Sequence, residues 1–445
     1  MGQRNVSLTQ LFALEGWKVA RSWFENEAGV RLLSRHGLPH HKVRLVVHLE
    51  RECAARCVLC GRARQKVHEV MASRRWRDLP ALNVATFIEA TPLRLQCSHC
   101  PGSHVEALPF ASHGARMSRR FEQQLAVEAS GAPVAQVAAV HGLSWGSVQR
   151  AELAALLRWA ANRVEPPLRM LGIDEKWLGR RGKWPERFVT IISDLETGEP
   201  RWWGFGRREE TVKGWLATLS DEEKARIVLA AMDMHDPFRA AIQGDPKLSH
   251  VAVVHDPFHV MKRANQAVDE LRREVFFRAG AQRRTIGRGA RWLFLKANER
   301  LDKAEKEQLA FLLGYNGALA RGYQLKEELR HVLQCKTRRS MEAGFDRILR
   351  RTQARRCRPL RALHESLRNH RERILALADH RPPTGRIEAL NNNWETLIRR
   401  GRGYRNLNYF FLKLRFMTAN PLRGRGTISR FLALAETASP LLKAA

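Results

Sequence analysis

Residues 43 to 49 (VRLVVHL) and 93 to 97 (LRLQC) place apolar side chains in short alternating or unbroken runs, the spacing of β-strands. Each run leads toward a Cys-x-x-Cys pair, so the first region reads as a small, strand-rich module. From Ser118 the spacing becomes helical: Phe121, Leu125 and Val127 are followed by Val134, Val137, Ala138 and Val140. Gly142 is placed to close one helix and Ser144 to cap the next. The prolines of EPPLR (165 to 169) then stop the helical pattern. Three apolar runs follow, LRMLGIDEKWL, RFVTIISDLE and PRWWGFG, the last two joined around Thr197-Gly198 in the manner of an antiparallel hairpin. After them the pattern predicts a helix near 209 to 219, a strand at 226 to 232, a helix after Asp236-Pro237 and a strand at 251 to 255. From about 258 to 381 only helical spacing survives, broken near Gly287-Arg288-Gly289 and at Arg381-Pro382-Pro383. A helix carrying Glu388 resumes after Gly385.

The order β-β-β-α-β-α-β after residue 166 is that of an RNase H-like core, a mixed sheet covered by helices. The expected architecture is therefore a multidomain α+β chain. An N-terminal zinc-binding β module spans 1–115 and a helix-turn-helix 116–165. An RNase H-like mixed-sheet catalytic domain spans 166–445 and carries an all-helical insertion at about 258–381.

Charge narrows the function. The chain holds 77 Lys and Arg against 45 Asp and Glu, a net charge of +32, which favours a polyanionic partner. The excess is not confined to a tail, because apolar residues are interleaved with the basic ones throughout 281 to 430, as on folded helices with a basic face. With 445 residues, 12 Trp and 18 Phe, the chain can bury several cores, unlike a small basic packaging protein. No apolar run is long enough to span a membrane and the first thirty residues lack a signal-peptide pattern, so a cytoplasmic, nucleoid-associated protein is expected.

Seven cysteines include the pairs Cys57/Cys60 and Cys97/Cys100. Two such turns can complete a tetrahedral four-thiolate site for structural Zn²⁺; free or redox thiols are the competing reading. His99 and His104 lie beside the second pair as possible substitutes. Residues 133 to 150 have the pattern of a helix-turn-helix, with Ser144, Ser147, Gln149 and Arg150 near the start of the second helix, where such folds meet the major groove; ordinary helical hairpins share the pattern. Farther on, Arg399, Arg400, Arg402 and Arg405 are interleaved with Tyr404, Tyr409 and Phe410, a mixture suited to DNA phosphates and stacking, or to a core with a basic face.

Against this basic background Asp174, Asp233 and Glu388 stand out. An aspartate at a strand end is often a turn former or cap, and Asp236-Pro237 and Asp256-Pro257 both read as a cap followed by a first-turn proline. Asp174 is harder to dismiss, because a carboxylate within an apolar strand is costly without a cation or donor. Three carboxylates are what two Mg²⁺ or Mn²⁺ ions need to cut a phosphodiester. Asn391 and Asn392 share a helical face with Glu388, and Asp256 with His259 forms a further pair past a strand.

Taken with VRLVVHLE, CVLCG, RRWRDLP, AMDMHDPFRAAI, VVHDPFHVMKRANQAVDELRR and GRIEALNNNWETLIRRGRGYRNLNYFFLKLRF, the chain resembles bacterial insertion-sequence transposases of the ISL3 family along nearly its whole length. The resemblance implies a DDE enzyme with catalytic Asp174, Asp233 and Glu388. Asp256 and His259 look like the auxiliary motif of related enzymes. It also implies binding to the element's terminal inverted repeats and to target DNA, metal-dependent hydrolysis, strand transfer, and a homodimer or higher oligomer on DNA. Two alternatives remain: a DNA-binding regulator that has lost cleavage, and a RuvC-type nuclease without strand transfer.

Overall fold

The computed structural model of the chain describes residues 7–12, 14–33, 39, 42–179, 184–353 and 357–419. Contacts divide the chain into two units, one drawn from 1–164 with 397–445 and the other from 165–396.

The first unit opens with α1 (Leu8–Phe12), β1 (Trp17–Asn26), β2 (Arg31–Leu32), β3 (Val43–Arg51), β4 (Lys66–Val70), β5 (Arg74–Ala81), β6 (Val84–Ala90), β7 (Leu93–Gln96) and β8 (Ser103–Val105). The strands form one sheet in the order β2-β1-β3-β6-β5 and a smaller one in the order β4-β7-β8. Along β6 the side chains alternate, so Val84, Thr86, Ile88 and Ala90 turn inward. The core there also holds Trp17, Trp76 and Phe110. Leu82 and Asn83 join β5 to β6 with both φ angles positive, the two-residue turn whose twist matches a hairpin. Three helices follow: α2 (Arg119–Gly131), α3 (Val134–His141) and α4 (Trp145–Ala161).

The second unit contains β9 (Met170–Trp177), β10 (Phe188–Asp194), β11 (Pro200–Phe205), α5 (Glu209–Leu216), α6 (Asp221–Arg226), β12 (Leu229–Met232), α7 (Asp236–Gln243) and β13 (Ala252–His255). Its sheet runs β11-β10-β9-β12-β13, with β9, β10 and β11 antiparallel and β9, β12 and β13 parallel. Helices then follow without a strand among the described residues: α8 (Pro257–Arg272), α9 (Ala281–Ile286), α10 (Arg291–Leu295), α11 (Lys303–Leu313), α12 (Gly317–Val332), α13 (Arg338–Thr352), α14 (Arg358–Asn369) and α15 (Arg371–His380). The chain continues in α16 (Gly385–Gly401) and α17 (Leu407–Ala419); the last residues of α16 and all of α17 belong to the first unit.

Strand β12 is buried on both faces, which is why it reads Leu-Ala-Ala-Met with no polar position. Leu229 and Ala231 join the core built with α8 to α15, whereas Ala230 and Met232 join Phe238, Trp215 and Ile242 from α5 and α7. One sequence expectation is corrected here. Asp236 is the first residue of α7 rather than its cap; His235 takes the cap position and stacks on Phe238 at 4.7 Å, while the Asp236 carboxylate pairs with Arg239 at 3.2 Å.

In the first unit α17 packs on the helix-turn-helix, with Trp159 edge-on to Phe416 at 5.1 Å. Beneath that contact Lys413 Nζ lies 2.6 Å from Glu152 Oε1 and donates to the Ala129 carbonyl at 2.9 Å. The Tyr409 hydroxyl donates to the same carboxylate. All three side chains are buried.

Candidate active site

Register in the second sheet lines up three aspartates. Ile173 of β9 is level with Met232 of β12, and Met232 is level with His255 of β13. Each of these residues is followed by an aspartate, so Asp174, Asp233 and Asp256 form a row across neighbouring strands, about 5 Å from one strand to the next. Asp174 and Asp256 are buried and Asp233 is partly so.

His259, in the first turn of α8, reaches all three. Its Nδ1 is 3.0 Å from Asp233 Oδ2, and its Nε2 is 3.9 Å from Asp256 Oδ2 and 4.0 Å from Asp174 Oδ1. The Nδ1 approach is a charge contact rather than an aligned hydrogen bond, since that buried nitrogen has no acceptor in line. Burial opposes ionisation of Asp233, yet the neighbouring His259 and the Met234 amide outweigh it and hold the carboxyl at about 2. Burial also works against the His259 cation, but Asp233, Asp174 and Asp256 together raise its pKa above the ordinary value. Asp256, capping α8 through the Phe258 amide at 3.1 Å, is pushed up by burial.

The approach of α16 depends on Gly172. A Cβ there would lie 2.5 Å from Ser193 Oγ, 2.8 Å from Leu195 and 3.0 Å from Ile387 of α16. Glycine therefore lets the helix sit directly on β9. Gly172 and Asp174 share one face of the strand, and one turn beyond Ile387 the Asn391 amide donates to Asp174 Oδ2 at 2.8 Å. The other Asp174 oxygen accepts from the Glu175 amide at 2.9 Å. Glu388 occupies the same helical face as Asn391, one turn earlier, with an exposed side chain. Asn392 is exposed as well, and its carbonyl accepts from Thr396.

One acid of this neighbourhood was missed in the sequence reading. Glu175 alternates to the opposite face of β9 from Asp174, and its Oε2 is buried without a partner while Oε1 lies 3.6 Å from Arg207. Burial raises its pKa, His235 and Arg207 oppose that, and Asp233 and Asp174 add to it. Its signal in the sequence was its place between Asp174 and Lys176 in β9.

The four cysteines of the two Cys-x-x-Cys pairs do converge. The Sγ atoms of Cys57, Cys60, Cys97 and Cys100 all lie within 4.8 Å of one another, and Cys60 is 3.6 Å from Cys97. Zinc–thiolate bonds of about 2.3 Å in a tetrahedron put sulfurs ~3.8 Å apart, so the cage has the right size for such an ion. Gly61, at φ 73°, lets the first turn close with its amide on the Cys57 carbonyl at 2.9 Å. The His99 amide brings the Cys97 thiol down to about 7, whereas burial and the neighbouring thiols push Cys100 up to about 12, a crowding that a cation relieves. His99 contacts Arg62 and His104 the Pro101 carbonyl.

In the helix-turn-helix, Gly142 closes α3 in the left-handed region at φ 62°, and Ser144 caps α4 by accepting from the Ser147 amide at 3.2 Å. Ser147 also accepts from Arg150 at 3.4 Å, and Gln149 is half-buried one turn after Trp145. Of the C-terminal arginines, Arg400 donates to the Gly131 and Ser130 carbonyls, so it fastens the end of α2. Arg399, Arg402 and Arg405 are exposed. No described helix is long and apolar enough to cross a membrane.

The chain is similar to known proteins along most of its length. A family profile described as transposase, the DDE type of ISL3 elements, matches residues 171–414, and the helix-turn-helix domain of transposase family ISL3 matches residues 106–154. The chain is 27% identical over 404 residues to the transposase for insertion sequence element IS1001 of Bordetella parapertussis, covering 90% of this chain and 95% of that one. It is 28% identical over 379 residues to the transposase for insertion sequence element IS1557 of Mycobacterium tuberculosis, covering 79% and 83%. With more than half its length matched by that profile, the chain belongs to the ISL3 family of insertion-sequence transposases.

Proposed function

We propose that the chain binds the terminal inverted repeats of its own element, cuts phosphodiesters there to free 3′-hydroxyls, and joins those ends to target DNA. In this reading the second unit is an RNase H-like catalytic domain, and the sheet order β11-β10-β9-β12-β13, with the first three strands antiparallel, supports it. The observation that carries the proposal is the row of Asp174 and Asp233 across β9 and β12, with α16 fixed above it through Gly172 and Asn391.

Asp174, Asp233 and Glu388 would hold Mg²⁺ or Mn²⁺, since carboxylate oxygens are the hard donors these ions take. Two such ions lower the pKa of the attacking water or hydroxyl and neutralise the leaving oxygen. Asn391 fixes the rotamer of Asp174, and the Met234 amide at 2.6 Å fixes Asp233. His259 supplies a positive charge beside Asp233 that holds that carboxylate ionised. Asp256 anchors His259 by capping its helix. The four cysteines would hold one structural Zn²⁺, and Ser147, Gln149 and Arg150 would meet the major groove.

The test is incubation with Mg²⁺ and DNA carrying the sequences that flank the gene, with 3′ ends and joined products mapped. Cleavage at the repeat ends followed by joining is expected. Tight, salt-sensitive binding without cleavage marks a regulator, and cleavage without joining of precut ends to a plasmid marks a structure-specific nuclease.

A further inference from the structure

A cleft of about 870 Å³ lies within the first unit between the helix-turn-helix and the loop from Arg400 to Asn406. One wall comprises the start of α3 and the N-terminal turn of α4, including Trp145 and Gln149; the other comprises Arg402, Tyr404, Arg405 and Asn406. Its size is that of pockets that enclose a small organic group.

The chemistry of the lining specifies the ligand. No carboxylate borders the cleft. Arg402 and Arg405 are exposed and pair with no acid among the described residues, whereas Arg400 and Lys413 are committed to backbone carbonyls and to Glu152. Trp145, the first residue of α4, is 54% exposed, a large apolar ring left open on the cleft wall. Gln149, Asn406 and Gln136 add amide groups able to pair with the edge of a base.

The loop wall is set before any ligand arrives. Arg402 and Gly403 turn through the left-handed region at φ 53° and 99°, and the Gly403 amide donates to the Ile398 carbonyl at 3.1 Å. Gly401 has no Cβ, which leaves room for the Tyr404 ring at 2.6 Å from where one would stand. Asn406, which lines the cleft, caps α17 by accepting from the Tyr409 amide at 3.0 Å.

A duplex is too wide to enter such a cleft, but a single nucleotide turned out of one is not. We propose that the cleft binds one unstacked nucleotide of a DNA strand, its base against Trp145 and Tyr404 and its phosphates on Arg402 and Arg405. The inference rests on the DNA-binding reading of the helix-turn-helix. With α4 in the major groove, Trp145 and Gln149 stand at the groove end of that helix, and the nucleotide taken up is one that borders its site. Aromatic stacking of a base and paired arginines on its phosphates are the usual means of holding single-stranded DNA.

The test uses the full chain and duplexes spanning each end of the element, each carrying one mismatch, moved along position by position. Extrusion costs least where pairing is already lost, so a mismatch at the extruded position tightens binding about tenfold. A duplex with 5-iodouracil at that position should cross-link, on irradiation, to the peptide holding Trp145 or Tyr404. Trp145→Ala, an exposed site, should abolish the mismatch gain, and Trp145→Phe should restore it. If the wild type binds the paired duplex but no mismatch tightens binding and no cross-link maps to these residues, the nucleotide pocket is refuted while DNA binding stands. If no end duplex is bound at all, both readings fall.

Discussion

Replacing Lys413 by Met removes the cation from a pair sealed between α4 and α17. The Glu152 and Lys413 side chains are 1% and 4% exposed, and the carboxylate's loss of water is offset first by Lys413 and the Tyr409 hydroxyl, with Arg400 adding a weaker charge effect. Burial pushes the Glu152 carboxyl up and the Lys413 ammonium down despite their 2.6 Å contact, so desolvation is the larger force on each. Removing one partner of such a pair costs about 3–5 kcal/mol, because a charge is left buried alone. For a unit of this size that is a fall in Tm of roughly 6–20 °C, read by calorimetry. The double variant Lys413→Met with Glu152→Leu should recover most of the loss, since a well-packed apolar pair is often neutral or better. A single variant within about 1 kcal/mol of wild type would refute the reasoning, as would a double variant no better than the single one.

Three further outcomes follow from the same geometry. Gly172→Ala should destabilise by about 1–3 kcal/mol and reduce cleavage more than folding, as its Cβ meets Ser193, Leu195 and Ile387; unchanged cleavage contradicts the packing argument. In metal-free protein His259→Gln should cost about 2 kcal/mol, with a defined pH window. The Asp233 share is present above its ordinary 3.8 and lost as pH falls toward about 2, while the His259 share is full below 6.5 and lost as pH rises through its raised value. The gap in urea midpoints should thus be widest between about pH 4 and 6.5 and shrink above; a pH-independent gap contradicts it. Purified protein should carry about one Zn²⁺ per chain by elemental analysis, and Cys57→Ser or a strong chelator should raise hydrogen exchange in β4, β7 and β8; a metal-free native protein with full protection contradicts the site.

Much of the second unit was legible because its signals are local. Apolar runs marked β9 to β13, and Asp174 was conspicuous as a charge inside one of them. The Cys-x-x-Cys pairs were equally plain, although their convergence depends on pairing across the β4-β7-β8 sheet. What stayed hidden depends on long-range geometry. Strands β1, β5 and β6 escaped notice because their inward residues gain meaning only when β3 pairs in parallel with β6. The row of three aspartates required the parallel register, and His259 as its hub required the angle at which α8 leaves β13. Gly172 gave no sequence signal as a seat for α16, and the Glu152–Lys413 pair joins residues far apart in the chain.

The most direct measurement compares wild type with Asp174→Asn, Asp233→Asn and Glu388→Gln, each shown to bind end DNA normally, in single-turnover cleavage with Mg²⁺. Losing a metal-binding carboxylate removes several kcal/mol of transition-state stabilisation, so each variant should cleave at least about a hundredfold more slowly than wild type. Cleavage by any one of them at the wild-type rate would contradict the assignment of that acid, and with it the central claim.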